Sequence, residues 1–189
     1  MIPAKKFYMI RHGQSVANLA GYFSGNMDVE LTDVGREQAA QARDVVENLV
    51  DKPVRIVHSH LQRARHTAQI INQNLQLPML ETPLLGEHHF GDWEGTKKYE
   101  PYNSAARDRG DPPNGETNHD FEQRILKGLN GALESNALTL IACHGGVFRA
   151  FYKLYDNVDN FEGIENCVLY EFAPNEGDES FPWDVKAVR

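Results

Sequence analysis

Two short apolar runs in this chain break off into a histidine followed by glycine, and this pattern narrows the possible folds more than any other feature. Lys6 to Ile10 (KFYMI) leads into Arg11-His12-Gly13, and Leu138 to Cys143 (LTLIAC) leads into His144-Gly145-Gly146. An apolar run of this length that stops at a glycine-bearing polar segment reads as a buried strand delivering a loop to one sheet edge. Val54 to His58 (VRIVH) is a third such run. Helical patterns lie between the strands. Beyond Thr32, a good N-cap, Ala39, Ala42, Val45, Val46 and Leu49 recur at three- and four-residue spacing. Ala64, Ala68, Ile71 and Leu75 share one face before Pro78, and Phe121, Ile125, Leu129 and Leu133 define a further helix. Val168 to Phe172 and Val185 to Val188 complete the strands. Alternation of this kind predicts an α/β fold with a mostly parallel central sheet and helices on both faces.

A length of 189 residues with 41% apolar content suits one domain spanning residues 1–189. The segment 86–118 is rich in Gly, Asn and Pro, has little periodicity, and is too long for a simple connector, so it is expected to be a lid or substrate loop.

The formal net charge of −8, with no run of more than two Lys/Arg, argues against a nucleic-acid partner. No apolar stretch approaches a membrane span or a secretory signal, so a cytoplasmic location and no membrane partner are expected. Cys143 and Cys167 have neither disulfide-scaffold nor metal spacing and read as reduced thiols. Oligomeric state is left open.

In open α/β sheets the loops at the carboxyl ends of strands share a crevice. Arg11, His12, Arg63 and His144 are thereby expected in one pocket, beside glycines whose N–H groups can approach an oxyanion. Two permanent cations and two imidazoles in an otherwise acidic protein suit a phosphate.

Five blocks in this order resemble the histidine phosphatase superfamily, also called the phosphoglycerate mutase-like family. They are Arg11-His12-Gly13-Gln14-Ser15 with Asn18; Leu31-Thr32 with Gly35 and Gln38-Ala39; and Ser59-His60-Leu61-Gln62-Arg63-Ala64 with Thr67-Ala68. Glu87 with Phe90-Gly91 and Trp93-Glu94-Gly95 forms the fourth, and Cys143-His144-Gly145-Gly146 the fifth. The resemblance runs from about residue 7 to about residue 150. It implies His12 as nucleophile, Arg11, Arg63 and His144 as phosphate clamps, and Glu87 as proton donor. It also implies Asn18, Ser24, Gly25 and Gly145 as substrate-binding positions, a small phosphate ester as substrate, and no metal or cofactor. Mutases of the family are longer and carry Tyr-Gly, Gly-Leu-Asn-Lys and paired-arginine elements after the acid. Here the chain reads Phe90-Gly91-Asp92-Trp93-Glu94-Gly95 and then Pro113-Asn114-Gly115-Glu116-Thr117, similar to the short bacterial phosphatases. Hydrolysis is thus expected, against mutase-type transfer or a non-catalytic phospho-ligand-binding scaffold.

Other readings attach to single features. His58, His60, His88 and His89 invite a metal site, although His60 stands where the family has Asp or Pro, and the His88-His89 pair beside the acid suits a role in substrate choice or pH response. Cys143-x5-Arg149 also fits the phosphate loop of cysteine-dependent phosphatases. Lys97, Lys98, Arg107 and Arg109 are candidates for a second anionic group on the substrate.

Overall fold

The computed structural model describes residues 1–98, 110–155, 163–175, 177 and 180–189. Among them are six strands: β1 (Phe7–Arg11), β2 (Arg55–Ser59), β3 (Met79–Thr82), β4 (Thr139–Cys143), β5 (Leu169–Pro174) and β6 (Trp183–Val188). Five α-helices accompany them: α1 (Val16–Ala20), α2 (Asp33–Glu47), α3 (Gln62–Ile71), α4 (Asn118–Ala132) and α5 (Gly145–Lys153). The sheet order is β3-β2-β4-β1-β5-β6. β3, β2, β4 and β1 run parallel, and β5 and β6 close one side antiparallel. The mostly parallel sheet expected from the sequence is therefore present.

Its two faces explain why the central strands are apolar throughout. On β1, Phe7 and Met9 point into one core with Val57, Ile141 and Cys143, covered by Ile125 and Leu129 of α4 and Val147, Phe148 and Phe151 of α5. Tyr8 and Ile10 point into the other with Ile56, Leu140 and Ala142, covered by Ala42 and Val46 of α2 and Ala68 and Ile71 of α3. The period-two alternation of strand side chains feeds both cores from one continuous run. Rings dominate the first core near β5 and β6, where Phe7 stacks on Phe172 at 4.6 Å between centroids and Phe151 packs edge-on to both.

The neighbours β1 and β4 send their chains to opposite faces, β1 toward α2 and β4 into α5. A crevice therefore opens beyond their carboxyl ends, the position where open parallel sheets bind ligands. Arg11 pairs with Cys143 in the ladder, so the next residues, His12 and His144, emerge side by side.

Local boundaries depart from the sequence expectation in two places. The third helix stops at Ile71 and not near Leu75, because the Asn72 side chain accepts from the Leu77 N–H and donates to its carbonyl while Gln76 takes a positive φ of 52°. Leu75 still packs on the second core from beyond the helix. The short α1 and β3 carry too little apolar periodicity to be read in advance. α1 begins with a capping box in which Ser15 accepts from Asn18 N–H and Asn18 Oδ1 accepts from Ser15 N–H.

The loop after β1 lies directly on the first turn of α2. A Cβ on Gly13 would sit 2.3 Å from the Gly35 carbonyl oxygen, and one on Gly35 would sit 2.1 Å from the Gln14 carbonyl oxygen. Both contacts are with backbone, which cannot yield cheaply. Gly35→Ala is expected to destabilise the protein by about 1–3 kcal/mol, seen as a lower urea midpoint. Gly131→Ala on α4, where an added Cβ meets nothing within 4 Å, is expected not to lower it.

Candidate active site

The crevice gathers residues from four segments of the chain. His12 is 4% exposed and His144 fully buried, with ring centroids 5.2 Å apart. The His12 N–H donates to the Cys143 carbonyl at 3.0 Å, tying the two loops together at their roots.

His12 Nδ1 lies 2.7 Å from the carbonyl of Gly13. A carbonyl only accepts, so the ring proton sits on Nδ1 and Nε2 keeps its lone pair. Burial, followed by the charges of Arg63 and Arg11, holds the His12 pKa well below the usual imidazole value. The ring is thus neutral at pH 7, with its one basic nitrogen already chosen.

His144 is held through Nε2, 2.8 Å from Ser59 Oγ at the end of β2. Its Nδ1 is buried and has no hydrogen-bond partner among the described residues. Burial, then Arg63, pushes its pKa well down as well.

Arg63 is fully buried, an expensive place for a guanidinium. It sits in the first turn of α3, where two carbonyls receive it: Nη1 donates to Met27 O at 2.8 Å and Nη2 to Gly25 O at 2.7 Å. Its Nε is buried without a partner among the described residues. Burial lowers its pKa, and the carboxylates of Glu87, Asp28 and Glu94 oppose that; a guanidinium remains charged throughout. Arg11 leans the other way and donates from Nη1 to Ile164 O at 2.7 Å.

Glu87 reaches the N-terminus of α5, where its Oε2 accepts from Gly146 N–H at 3.2 Å. A Cβ at Gly146 would lie 2.0 Å from Glu87 Oε1, so only glycine admits this approach. Arg124 fixes the segment behind it, pairing with Glu116 at 2.7 Å and donating to the carbonyls of Leu84, Gly86 and Glu87.

A cavity of about 490 Å³ adjoins this cluster, lined by Arg11, Glu87, Gly145 and Gly146 together with Phe23, Phe90, Trp93 and Phe121, while His12, Asn18, Arg63 and His144 are not among its lining residues. The structure brings together Arg11, His12, Arg63, Glu87, His144 and Gly145. Asn18 stands at the start of α1 with its Oδ1 engaged by Ser15, so its amide nitrogen is the group it has to offer. Ser24 and Gly25 are buried and do not line the cavity; the Gly25 carbonyl holds Arg63, and the Ser24 carbonyl accepts from Met27 N–H.

Three supporting residues were not singled out from the sequence. Ser59 orients His144. Thr67 accepts from Gly13 N–H at 3.0 Å and donates to Arg63 O at 2.7 Å. Asn166 donates to His12 O at 2.6 Å. Ser59 and Thr67 lie in quoted blocks, but Asn166 comes from a stretch with no pattern to flag it.

The competing features fall elsewhere. Cys143 is a fully buried core residue whose thiol pKa is pushed up by burial, which leaves the thiolate unavailable. His58 Nδ1 meets Ser59 O at 3.0 Å. His88 stacks on Phe121 with Nε2 2.7 Å from Glu116 O. Among the described residues no three His, Cys, Asp or Glu side chains gather as a metal site, and no helix is long and apolar enough to cross a membrane. Lys97 donates to Ala20 O, Lys98 lies 5.9 Å from the Phe23 ring centroid, and Arg107 and Arg109 fall outside the described residues.

The model of the histidine phosphatase superfamily, branch 1, matches residues 7–181. The chain belongs to this superfamily. A glucosyl-3-phosphoglycerate phosphatase of Mycolicibacterium vanbaalenii is 32% identical over 163 residues, covering 77% of this chain and 72% of that protein. A 2,3-bisphosphoglycerate-dependent phosphoglycerate mutase of Gloeobacter violaceus is 32% identical over 186 residues, covering 87% and 83%. The crystal structure of the alpha-ribazole phosphatase from Shigella flexneri superposes with a TM-score of 0.80 at 26% identity, covering 97% of this chain and 95% of that one. As a member of this superfamily the protein is an enzyme of the phosphatase type.

The two buried imidazoles also govern stability. Folded, both stay neutral; unfolded, both protonate near pH 6.5. Unfolding therefore takes up protons below that pH, and the free energy of unfolding falls as pH is lowered. Urea melts at pH 7 and pH 5 are expected to show this loss in the wild type and a smaller one in the His12→Asn/His144→Asn double variant.

Proposed function

We propose that the protein hydrolyses a small phosphate monoester in two steps, through a phosphoryl group carried on His12 Nε2. The observation that supports this most directly is a pair of buried, unpartnered nitrogens in the cluster that holds His12. Arg63 Nε and His144 Nδ1 are both sealed from water without a partner among the described residues, and buried polar groups in that state call for an explanation. Three equatorial phosphoryl oxygens would supply the missing acceptors.

A neutral imidazole approaches a phosphate dianion without the repulsion an anionic nucleophile meets, and it later departs as a good leaving group. In the first step Nε2 forms a bond to phosphorus as the ester oxygen leaves. Arg11, Arg63, His144 and the Asn18 amide gather the equatorial oxygens, and Glu87 protonates the departing alkoxide. In the second step Glu87 takes a proton from the water that attacks phosphorus, and His12 is released neutral. A unit charge about 4 Å from another is worth about 4 kcal/mol at an effective dielectric near 20, so a few such donors supply much of the lowered barrier. The proton donor contributes on the order of 10²–10⁴-fold.

Hydrolysis is favoured over mutase-type transfer by the sequence after Glu87 and by the glucosyl-3-phosphoglycerate and alpha-ribazole phosphatases among the relatives. A scaffold without catalysis is disfavoured because the nucleophile, both arginines, the second histidine and the acid are all present. Segment 86–118 is the proposed substrate-facing loop. Phe90, Trp93, Gly110 and Pro112 from its described part line the cavity.

Wild-type protein without added metal is expected to release phosphate from a phosphomonoester panel and to yield an acid-labile phosphoenzyme. His12→Ala is expected to lose both, the rate by about 10³-fold or more. Phosphate release that persists in His12→Ala, or disappears only in Cys143→Ser, would refute the histidine mechanism.

A further inference from the structure

The side chains of the second sequence block, Leu31-Thr32 with Gly35 and Gln38, are not among those gathered in the crevice, yet three of its residues grip the loop that carries His12. At the start of α2 the Thr32 N–H donates to the Gln14 carbonyl at 2.9 Å. Three residues on, Gly35 lies so close to Gly13 and Gln14 that neither glycine admits a Cβ. Three residues further, Gln38 Oε1 accepts from the Gln14 N–H at 2.8 Å. Residues at this spacing share one side of a helix. That side of α2 is therefore a cradle for residues 13 and 14.

The Gln38 contact differs from the other two in what lies beyond it. The Gly13 carbonyl and the Gln14 N–H are opposite ends of one planar trans peptide, and the carbonyl end receives His12 Nδ1–H at 2.7 Å. Two hydrogen bonds thus run in series, from His12 Nδ1–H to Gly13 O and from Gln14 N–H to Gln38 Oε1. A backbone N–H only donates, so Gln38 must present its oxygen here. Bonds in series polarise one another, which makes Gly13 O a stronger acceptor than an isolated carbonyl. The preceding peptide is held at both ends, by Asn166 on the His12 carbonyl and Thr67 on the Gly13 N–H. Contact with Gly35 obliges residue 13 to be glycine, and glycine leaves the next peptide free to turn. Among the described residues, only His12 and Gln38 hydrogen-bond that peptide.

We propose that Gln38 is a positioning residue for the nucleophile, fixing and polarising, through the Gln14 N–H, the Gly13 carbonyl that receives His12 Nδ1–H. This rests on the phosphatase reading above. As Nε2 bonds to phosphorus the ring takes on positive charge, which is shared with Nδ1–H, and a fixed, polarised carbonyl stabilises it. Were the peptide to turn, Nδ1 would lose its acceptor. The tautomer with the proton on Nε2, which has no lone pair there for attack, would then gain population. Gln38 touches no substrate in this scheme, so it acts on kcat and not on KM. The charged and titratable groups around His12 are Arg63, Arg11, Lys98 and His144, and none of them is altered by a substitution at residue 38.

The test compares wild type, Gln38→Met and Gln38→Glu by ring-nitrogen NMR of the labelled protein, with the His12 signals assigned through His12→Asn, and by steady-state kinetics on p-nitrophenyl phosphate. Wild type is expected to carry the His12 proton on Nδ1. Gln38→Met keeps the length of the side chain but loses the acceptor. It is expected to shift the His12 ring nitrogens toward a mixture of tautomers and to lower kcat by about 3- to 10-fold, the effect of one hydrogen bond, with KM changed by less than about twofold. Gln38→Glu keeps an acceptor and is expected to restore the Nδ1 tautomer and most of kcat. It should also move the acid limb of the kcat/KM profile to higher pH, because a carboxylate one peptide away favours the imidazolium. Unchanged His12 resonances in Gln38→Met, or an equal kcat loss in Gln38→Glu with no movement of the acid limb, would overturn the role given to Gln38. A wild type inactive on every phosphomonoester would overturn the phosphatase reading instead, and the NMR comparison would still decide whether Gln38 sets the His12 tautomer.

Discussion

Parallel pairing of β1 with β4 is the constraint from which the site descends. Because Arg11 faces Cys143 in the ladder, the two histidines leave the sheet as neighbours, and because the two strands feed helices on opposite faces, a gap must open between them. The period-two burial of both strands fixes this register, since a one-residue slip would turn Phe7 and Met9 out of one core and Tyr8 and Ile10 out of the other. The geometry of the candidate site is therefore held by two hydrophobic cores, and no loop has to find it unaided.

The buried guanidinium of Arg63 shows how the remaining segments are recruited. Its charge is tolerable only because the 24–28 segment folds over it and presents carbonyls from Gly25 and Met27, a partial solvation that leaves Nε for another acceptor. The same segment supplies Asp28, whose carboxylate accepts from Gln62 N–H at the start of α3 at 2.6 Å. Thr67, one turn along α3 from Arg63, then reaches the Gly13 amide. Arg63, the 24–28 loop and the loop after β1 thus form one hydrogen-bonded unit, each part placed by the need to satisfy another.

Much of this was legible in advance, for reasons that can be stated residue by residue. The strands before His12 and His144 and the helices of α2 and α4 announce themselves because burial on a fixed face demands a fixed period, and five motif blocks carried the candidate site. What escaped was set by contacts distant in sequence. Helix α3 ends early because the Asn72 side chain captures the backbone of Leu77, a local competition that apolar spacing does not encode. Asn166 reaches His12 from over 150 residues away, and Ser24 and Gly25 act through backbone carbonyls, which any residue could offer.

The hydrogen bond from His12 Nδ1 to the Gly13 carbonyl has a consequence for the whole electrostatic balance. In many nucleophilic sites an imidazole is oriented by a carboxylate, which raises its basicity but brings a full negative charge within a few ångströms of the reaction. Here a neutral dipole from the adjacent residue performs the orientation. A carboxylate in its place would oppose an arriving dianion by about 2 kcal/mol per unit charge at about 8 Å and an effective dielectric near 20, and would draw the imidazole toward protonation. By borrowing its own backbone, the loop orients His12 without adding a carboxylate beside Nδ1, and so leaves the attraction of Arg11 and Arg63 for a phosphate unopposed from that side.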